Sequence, residues 1–164
     1  MDIDLKALLT HYLRQLDNML EQIPEESFSA SLSDNMFSLA GNARIAANFA
    51  LRGYCPLVGV KTVSFDLGSD DQNAVREQIS ATLDYLEGLP AVETLNKDVL
   101  LSEKAGFTEL NLPQPEFLHH YIMPNFFFHI SMVYAIAKSV GVDLGKADFD
   151  GYHSYPVGFS WLKP

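Results

Sequence analysis

The most informative segment of the chain is Met123-Pro-Asn-Phe-Phe-Phe-His-Ile-Ser-Met-Val-Tyr-Ala-Ile-Ala-Lys-Ser-Val-Gly-Val-Asp-Leu-Gly-Lys-Ala-Asp-Phe-Asp150. Its apolar residues recur at helical spacing, which predicts a helix that ends at Val140, just before a glycine. We expect this helix to begin near Pro115, because proline is favoured in a first turn. Pro124 would then lie inside the helix, where it costs about 3 kcal/mol unless the helix kinks. The alternative is a separate helix that starts at Pro124, after a short turn over residues 116–122.

Three more helices are predicted upstream from the spacing of apolar residues. The first covers about residues 2–23. The second covers about residues 35–54, after an N-cap at Ser33 or Asp34. Its inner face is mostly alanine, so a neighbouring helix can approach it closely. The third lies between about residues 71 and 87.

Residues 91–114 show no helical period. Within them, residues 92–95 and 106–112 could pair as a small hairpin or simply cover the helices. The tail of residues 152–164 is rich in aromatic side chains, and we expect it to lie across the helices of its own chain or of a neighbour. The predicted fold is therefore all-α, an up-down four-helix bundle with a long cross-connection, in a single domain of residues 1–164.

Composition narrows the range of partners. The chain has 164 residues and a formal net charge of −10, a field that repels phosphate backbones and anionic headgroups. No apolar run approaches the ~20 residues of a membrane span. We therefore predict no nucleic-acid partner and no membrane partner. The N-terminus lacks the features of a signal peptide and Cys55 is a lone cysteine, so a cytoplasmic location is expected.

The stretch that opens this section resembles the "PNFxFH…GVxLGKxDF" block of the DUF1993 family, a group of uncharacterised bacterial and fungal proteins. Residues 35–39 and 79–86 match the family pattern more loosely, and residues 51–71 depart from it. That family is similar to the DinB/YfiT-like four-helix bundles. The resemblance implies the same fold as the helix pattern, and it implies no substrate.

His129 is the best candidate for chemistry. It lies on the inward stripe of the last predicted helix, so it needs a hydrogen-bond partner or a metal once it is desolvated. Asn125 lies one turn earlier on nearly the same face. Asn42 interrupts an apolar set on the second helix. The predicted site therefore has His129 as the catalytic candidate, with ligand-binding residues Asn42, Asn125, His120 and Tyr121.

The resemblance to DinB-like proteins also bears on metal binding. It implies a His-x3-His motif on the last helix and a third histidine on the second. In this chain the corresponding residues are Asn125, His129 and Asn42, so two of the three ligands are amides. An amide oxygen is a poor ligand for zinc or nickel compared with an imidazole. We predict no metal cofactor, and a zinc or nickel ion at His129 is the less favoured alternative.

Three functions follow from these features. The first is the binding of a small molecule in a polar pocket around His129, which would act as a general acid or base. The second is a metal-free structural module in which Asn42, Asn125 and His129 form a satisfied polar cluster and the chain dimerises through helix faces and its tail. The third, implied by the resemblance, is a metal-dependent hydrolase or thiol transferase.

Overall fold

The protein is mostly helical, with one small antiparallel hairpin. The computed structural model describes residues 4–162. In chain order its elements are α1 (Leu5–Gln22), a short 3-10 turn (Glu25–Ser27), α2 (Leu39–Leu57), α3 (Gln72–Gly88), β1 (Leu100–Ala105), β2 (Thr108–Pro113), α4 (Gln114–Glu116), a π-helical segment (Phe117–Ile122), α5 (Met123–Ser139) and α6 (Lys146–Asp150).

The core lies where α2 meets its neighbours. α2 packs against α3 on one side and against α5 on the other, and α1 packs against α3 and α6. The alanines of the inner face of α2 are fully buried, as predicted, and they allow these close approaches. The predicted stripes of α1 and α3 are buried as well, including Leu9, Leu16, Val75 and Ile79. Residues 2 and 3 of the predicted first helix lie outside the described residues.

The start of α2 differs from the prediction. The N-cap is Ser38, whose Oγ accepts a hydrogen bond from the backbone N–H of Gly41 at 3.0 Å, and the predicted cap at Ser33 or Asp34 is wrong. Apolar spacing extends back to Met36, but that side chain is exposed. The helix begins only where its residues become buried, because packing rather than spacing stabilises its first turn.

The hairpin uses a different first strand from the one expected. Residues 100–105 pair with residues 108–113, whereas residues 92–95 remain outside the sheet. The strands are joined by Gly106 and Phe107, and Gly106 has a φ of +60°. A glycine with positive φ at the first position of a two-residue turn suits the twist of a hairpin, so the turn selects the strand that precedes it.

The last long helix is continuous from Gln114 to Ser139, but it is not α-helical throughout. The π-helical segment ends directly before α5, and the N–H of Met123 donates to the carbonyl of Leu118, five residues earlier. Pro124 has no backbone N–H to donate, and it lies where the π-helical segment passes into α5 and the regular α-helical hydrogen-bond pattern is interrupted. The separate helix at Pro124 is excluded, since residues 117–122 are helical too.

The end of α5 corrects one more prediction. The predicted helix extended to Val140, but this residue is exposed and follows the last residue of the helix. Gly141 adopts a φ of +87°, the left-handed conformation that ends many helices. The stripe therefore stops one turn earlier, at Ile136.

Beyond Tyr152, the described part of the tail does not lie across the helices of its own chain. α6 packs on α1, where the Nε2–H of His11 donates to the carbonyl of Asp150 at 2.7 Å. His11 is thus partly buried. Beyond Tyr152, which stacks on His11, the aromatic residues up to Leu162 remain largely exposed. Residues 163 and 164 of the predicted tail lie outside the described residues.

Within residues 4–162, no helix combines the length and the apolar character needed to cross a membrane.

Candidate functional site

His129 and Asn42 form a buried polar pair between α5 and α2. Nδ1 of His129 lies 2.8 Å from Oδ1 of Asn42, and both side chains are more than nine-tenths buried. α5 and α2 make the most extensive helix–helix contact of the molecule, and this contact brings together two residues that are 87 positions apart in sequence. The structure thus joins two of the predicted site residues directly.

The orientation of the Asn42 amide is determined by the backbone. Its Nδ2 donates to the carbonyl of Ser38 at 2.9 Å and to that of Phe37 at 3.2 Å. Carbonyl oxygens only accept, so Nδ2 must face them and Oδ1 must face His129. Nδ1 of His129 therefore carries the proton of this hydrogen bond. In the neutral ring, Nε2 is left with a free lone pair.

Nε2 of His129 has no hydrogen-bond partner within residues 4–162. The residue is only 7% exposed, but this atom is not completely enclosed, because Oε1 of Gln78 is the sole fully buried side-chain polar atom without a partner in that range. The site consequently offers a hydrogen-bond acceptor to a molecule that arrives from outside.

The charge state of His129 follows from its surroundings. Burial, and then the positive charge of Arg52, lower the pKa of His129 below its ordinary value of 6.5. The imidazole is therefore neutral at neutral pH. A neutral ring with its Nδ1–H anchored can accept a hydrogen bond or a proton at Nε2, which is the arrangement of a general base.

Aromatic rings surround the imidazole. Phe49 stacks on it with ring centres 5.8 Å apart and an interplanar angle of 20°. Phe128 and Phe37 meet it edge-on at 5.1 Å and 6.4 Å, and these two side chains are 52% and 62% exposed. We call these four residues, His129, Phe49, Phe128 and Phe37, the His129 face. It is an apolar surface with one hydrogen-bond acceptor.

Arg52 also packs against Phe49. Its guanidinium carbon is 4.3 Å from the centre of the Phe49 ring, a cation–π contact, so both this cation and the imidazole of His129 contact the same ring. Its Nη2 donates to Tyr121 Oη at 2.8 Å and to Glu103 Oε1 at 3.1 Å. Arg52 therefore connects the hairpin and the π-helical segment to α2.

The other predicted site residues lie around this pair. Nδ2 of Asn125 donates to the carbonyl of Tyr121 at 2.7 Å, so its amide supports the backbone next to the π-helical segment. Tyr121 is partly buried, and its ring meets Phe49 at 5.7 Å. His120 is exposed. Asn42 and His129 thus contact each other directly. Tyr121 lies near them through Phe49, Asn125 bonds to the backbone of Tyr121, and His120 is at the surface.

A cleft of about 270 Å³ begins one turn further along α2. It is lined by Ile45, Asn48 and Arg52 of α2 and by residues 62–64 of the following loop. Arg52, which lines the cleft, also contacts Phe49 of the His129 face. The cleft offers hydroxyl and amide groups and is connected to that face through Arg52.

The comparisons with known proteins place the chain in a family. The family model described as "Domain of unknown function (DUF1993)" matches residues 4–150. The chain belongs to the DUF1993 family. Among solved structures, it is similar to a DinB family member protein from Shewanella denitrificans, with 22% sequence identity, 93% of each chain covered and a TM-score of 0.77. This likeness shows a DinB-like fold. No curated protein matches the chain.

The metal site that the resemblance implied does not fit this DUF1993 chain. Nδ1 of His129 and Oδ1 of Asn42 are bonded to each other, and the amide nitrogen of Asn125 is bonded to a carbonyl. Within residues 4–162, no group of three or more His, Cys, Asp and Glu residues could hold a metal ion. One imidazole and two amides are a weak donor set for zinc or nickel.

The predicted set lacked four residues of this DUF1993 site, namely Phe37, Phe49, Phe128 and Arg52. Phe37 fell within the predicted second helix, whereas it lies in the loop before it and borders His129. A signal for Arg52 was available, because it follows Phe49 by three residues and so shares its side of the helix.

Proposed function

We propose that this DUF1993 protein binds a small, largely apolar molecule on the His129 face, through a hydrogen-bond donor that it presents to Nε2 of His129. The observation that carries the proposal is the Asn42 amide. Its two bonds to backbone carbonyls orient Oδ1 toward His129, and this assigns the proton to Nδ1 and the lone pair to Nε2. The site is thus prepared to accept a hydrogen bond before the ligand arrives.

The surroundings support a ligand with an aromatic or apolar body. Phe37 and Phe128 are more than half exposed although they lie beside a buried polar pair. Most binding sites combine apolar walls with a few polar groups that orient the ligand, which is the composition of this face. The cleft beside Arg52 leaves room for a polar extension of the ligand.

The architecture that holds the site is part of the proposal. We take α1, α2, α3 and the helix from Gln114 to Ser139 as the four members of an up-down DinB-like bundle. The DinB family neighbour and the packing of α2 between α3 and α5 support this arrangement. Ligand sites of such bundles are built from side chains on facing helices, as Asn42 and His129 are here.

Phenol and anisole test the proposal as a pair of probes. They have the same aromatic body, but only phenol carries an O–H donor. In titrations followed by ¹⁵N NMR, we expect phenol to shift the Nε2 resonance of His129 and to bind at least several-fold more tightly than anisole. Equal affinity for the two probes, or shifts that bypass His129, would refute a donor-specific site.

The variant His129→Ala provides the matching loss of function. It removes the acceptor, so phenol should bind no better than anisole. The control is His120→Ala, which removes an exposed histidine nine residues earlier in the same helix. This control should keep the preference for phenol. If His129→Ala keeps it as well, Nε2 is not the acceptor.

The affinity for phenol should depend on pH in one direction. Protonation of His129 removes the lone pair at Nε2, and its pKa in the folded protein lies below 6.5. Affinity should therefore be highest at neutral and higher pH and fall with a midpoint at the lowered pKa, below pH 6.5. The folded state also loses stability as the pH drops from 6.5 toward the lowered pKa, because the unfolded chain takes up the proton at a higher pH. NMR titrations of phenol at several pH values would measure the profile, and a midpoint at or above pH 6.5 would contradict it.

A further inference from the structure

The residues after Gly151 form a small aromatic cluster that stands away from the helices. Tyr155 stacks on Phe159 with ring centres 5.3 Å apart, and Trp161 meets Phe159 edge-on at 5.1 Å. The backbone N–H of Phe159 donates to the carbonyl of Pro156 at 3.0 Å and closes a turn. We call Tyr155, Phe159 and Trp161 the tail knob. It is preorganised by its own contacts.

The base of the knob is fixed to α1. The carbonyl of Asp150 accepts the Nε2–H of His11, and Tyr152 stacks on the same imidazole at 5.0 Å. Gly151 approaches Gln15 so closely that a Cβ would lie 3.1 Å from its amide, and its φ is +76°. The chain thus leaves α1 in a defined direction while Trp161 remains 79% exposed.

An exposed knob of tyrosine, phenylalanine and tryptophan has the composition of a binding hot spot. The same molecule presents a second exposed apolar surface, the His129 face, with Phe37 and Phe128 more than half exposed. In a two-fold symmetric dimer, the tail knob of each copy can contact the His129 face of the other, so both exposed apolar surfaces are covered at once.

The distribution of charge along the chain favours the tail knob, rather than the acidic remainder of the molecule, as the surface that contacts a second copy. Residues 151–164 contain one lysine and no acidic residue, so residues 1–150 carry a formal charge of −11. Two such acidic bodies repel each other when they approach. The tail lacks this acidic charge, and its lysine is attracted by the acidic body of a second copy. α5 also has no charged residue from Met123 to Ala137, so the knob meets an uncharged helix there.

We infer that the tail knob of one copy covers the His129 face of a second copy, and that the reverse contact forms at the same time. The site of each copy is then closed by the partner's tail. This inference rests on the proposed function only for the choice of surface, because the contact requires no ligand.

Trp161 reports on the contact, since it is the single tryptophan of the chain. Over a dilution series, we expect its emission to shift to the blue and to resist acrylamide quenching as concentration rises, while light scattering after size exclusion shows a dimer mass. Phe37→Ser should abolish both changes. The matched control is Phe107→Ser, which removes a fully exposed phenylalanine at the hairpin tip and should leave both unchanged. Far-UV circular dichroism checks that each variant is folded.

Other outcomes would overturn the inference. A monomer mass at every concentration excludes the dimer. A blue-shifted emission that is independent of concentration means that the knob covers its own chain. A dimer that persists in Phe37→Ser uses another surface. Phenol binding is measured separately in Trp161→Ala, so a failed dimer and a failed small-molecule site give different results.

Discussion

Gly53→Ala is expected to be among the most destabilising single-methyl changes in this protein. A Cβ at position 53 would lie 2.3 Å from Cγ2 of Ile122 and 3.3 Å from its Cβ. Both residues are fully buried, so neither can move into solvent. Overpacking of this kind typically costs about 1–3 kcal/mol, and here it also pushes the π-helical segment away from α2. Urea denaturation would measure the loss in the free energy of unfolding.

The control for this change is Gly88→Ala. Gly88 is the last residue of α3, and a Cβ there would meet nothing within 4 Å. Alanine is favoured over glycine in helices by about 0.5–1 kcal/mol, so this variant should be neutral or slightly more stable. Ile122→Ala should also relieve part of the cost of Gly53→Ala in a double-mutant cycle. If the two substitutions add without coupling, the contact between α2 and the π-helical segment is not the cause.

Asn42→Ala is expected to reduce stability and remove ligand selectivity together. The substitution leaves the Nδ1–H of His129 buried without a partner, which costs about 1–3 kcal/mol. It also releases the tautomer of the ring, so Nε2 no longer holds a lone pair in every molecule. We expect a lower midpoint in urea and a loss of the preference for phenol over anisole.

A second cycle separates these two effects. In Asn42→Ala combined with His129→Phe, no unpaired donor remains and the new ring can still stack near Phe49. The double variant should therefore be more stable than Asn42→Ala alone, although it binds phenol no better than anisole. A double variant that loses the sum of both single losses would mean that packing, rather than the unpaired Nδ1, explains the destabilisation.

The spacing of apolar residues predicted helices correctly wherever a helix buries a regular apolar stripe. α1 and α3 follow their apolar spacing closely, and the alanine face of α2 is buried as predicted. The pattern was a poor guide to ends and turns. The start of α2 depends on which residues have a neighbour to pack against, so Met36 continued the spacing but not the helix. The first strand of the hairpin is the segment directly before the turn at Gly106, and the apolar pattern did not distinguish this segment from other short segments nearby.

The candidate site shows the same division. Helical spacing predicted that Asn42 and His129 face the core. A buried polar side chain needs a hydrogen-bond partner, so a partner for each could be predicted as well. The pairing of the two, however, depends on the distance between α2 and α5, which no local pattern encodes. Asn125 lies one turn before His129, but it is only partly buried and its Nδ2 donates to the carbonyl of Tyr121 beside the π-helical segment.

The family, the helical character of the chain and the identity of its buried histidine could therefore be predicted from the sequence, because residue types and apolar spacing are local properties of the chain. The tertiary structure alone decided which atom of His129 faces outward. That choice required two backbone carbonyls to orient Asn42 and a neighbouring helix to bring Oδ1 of Asn42 to Nδ1 of His129. These contacts join residues far apart in the chain, so they exist only after the helices have packed.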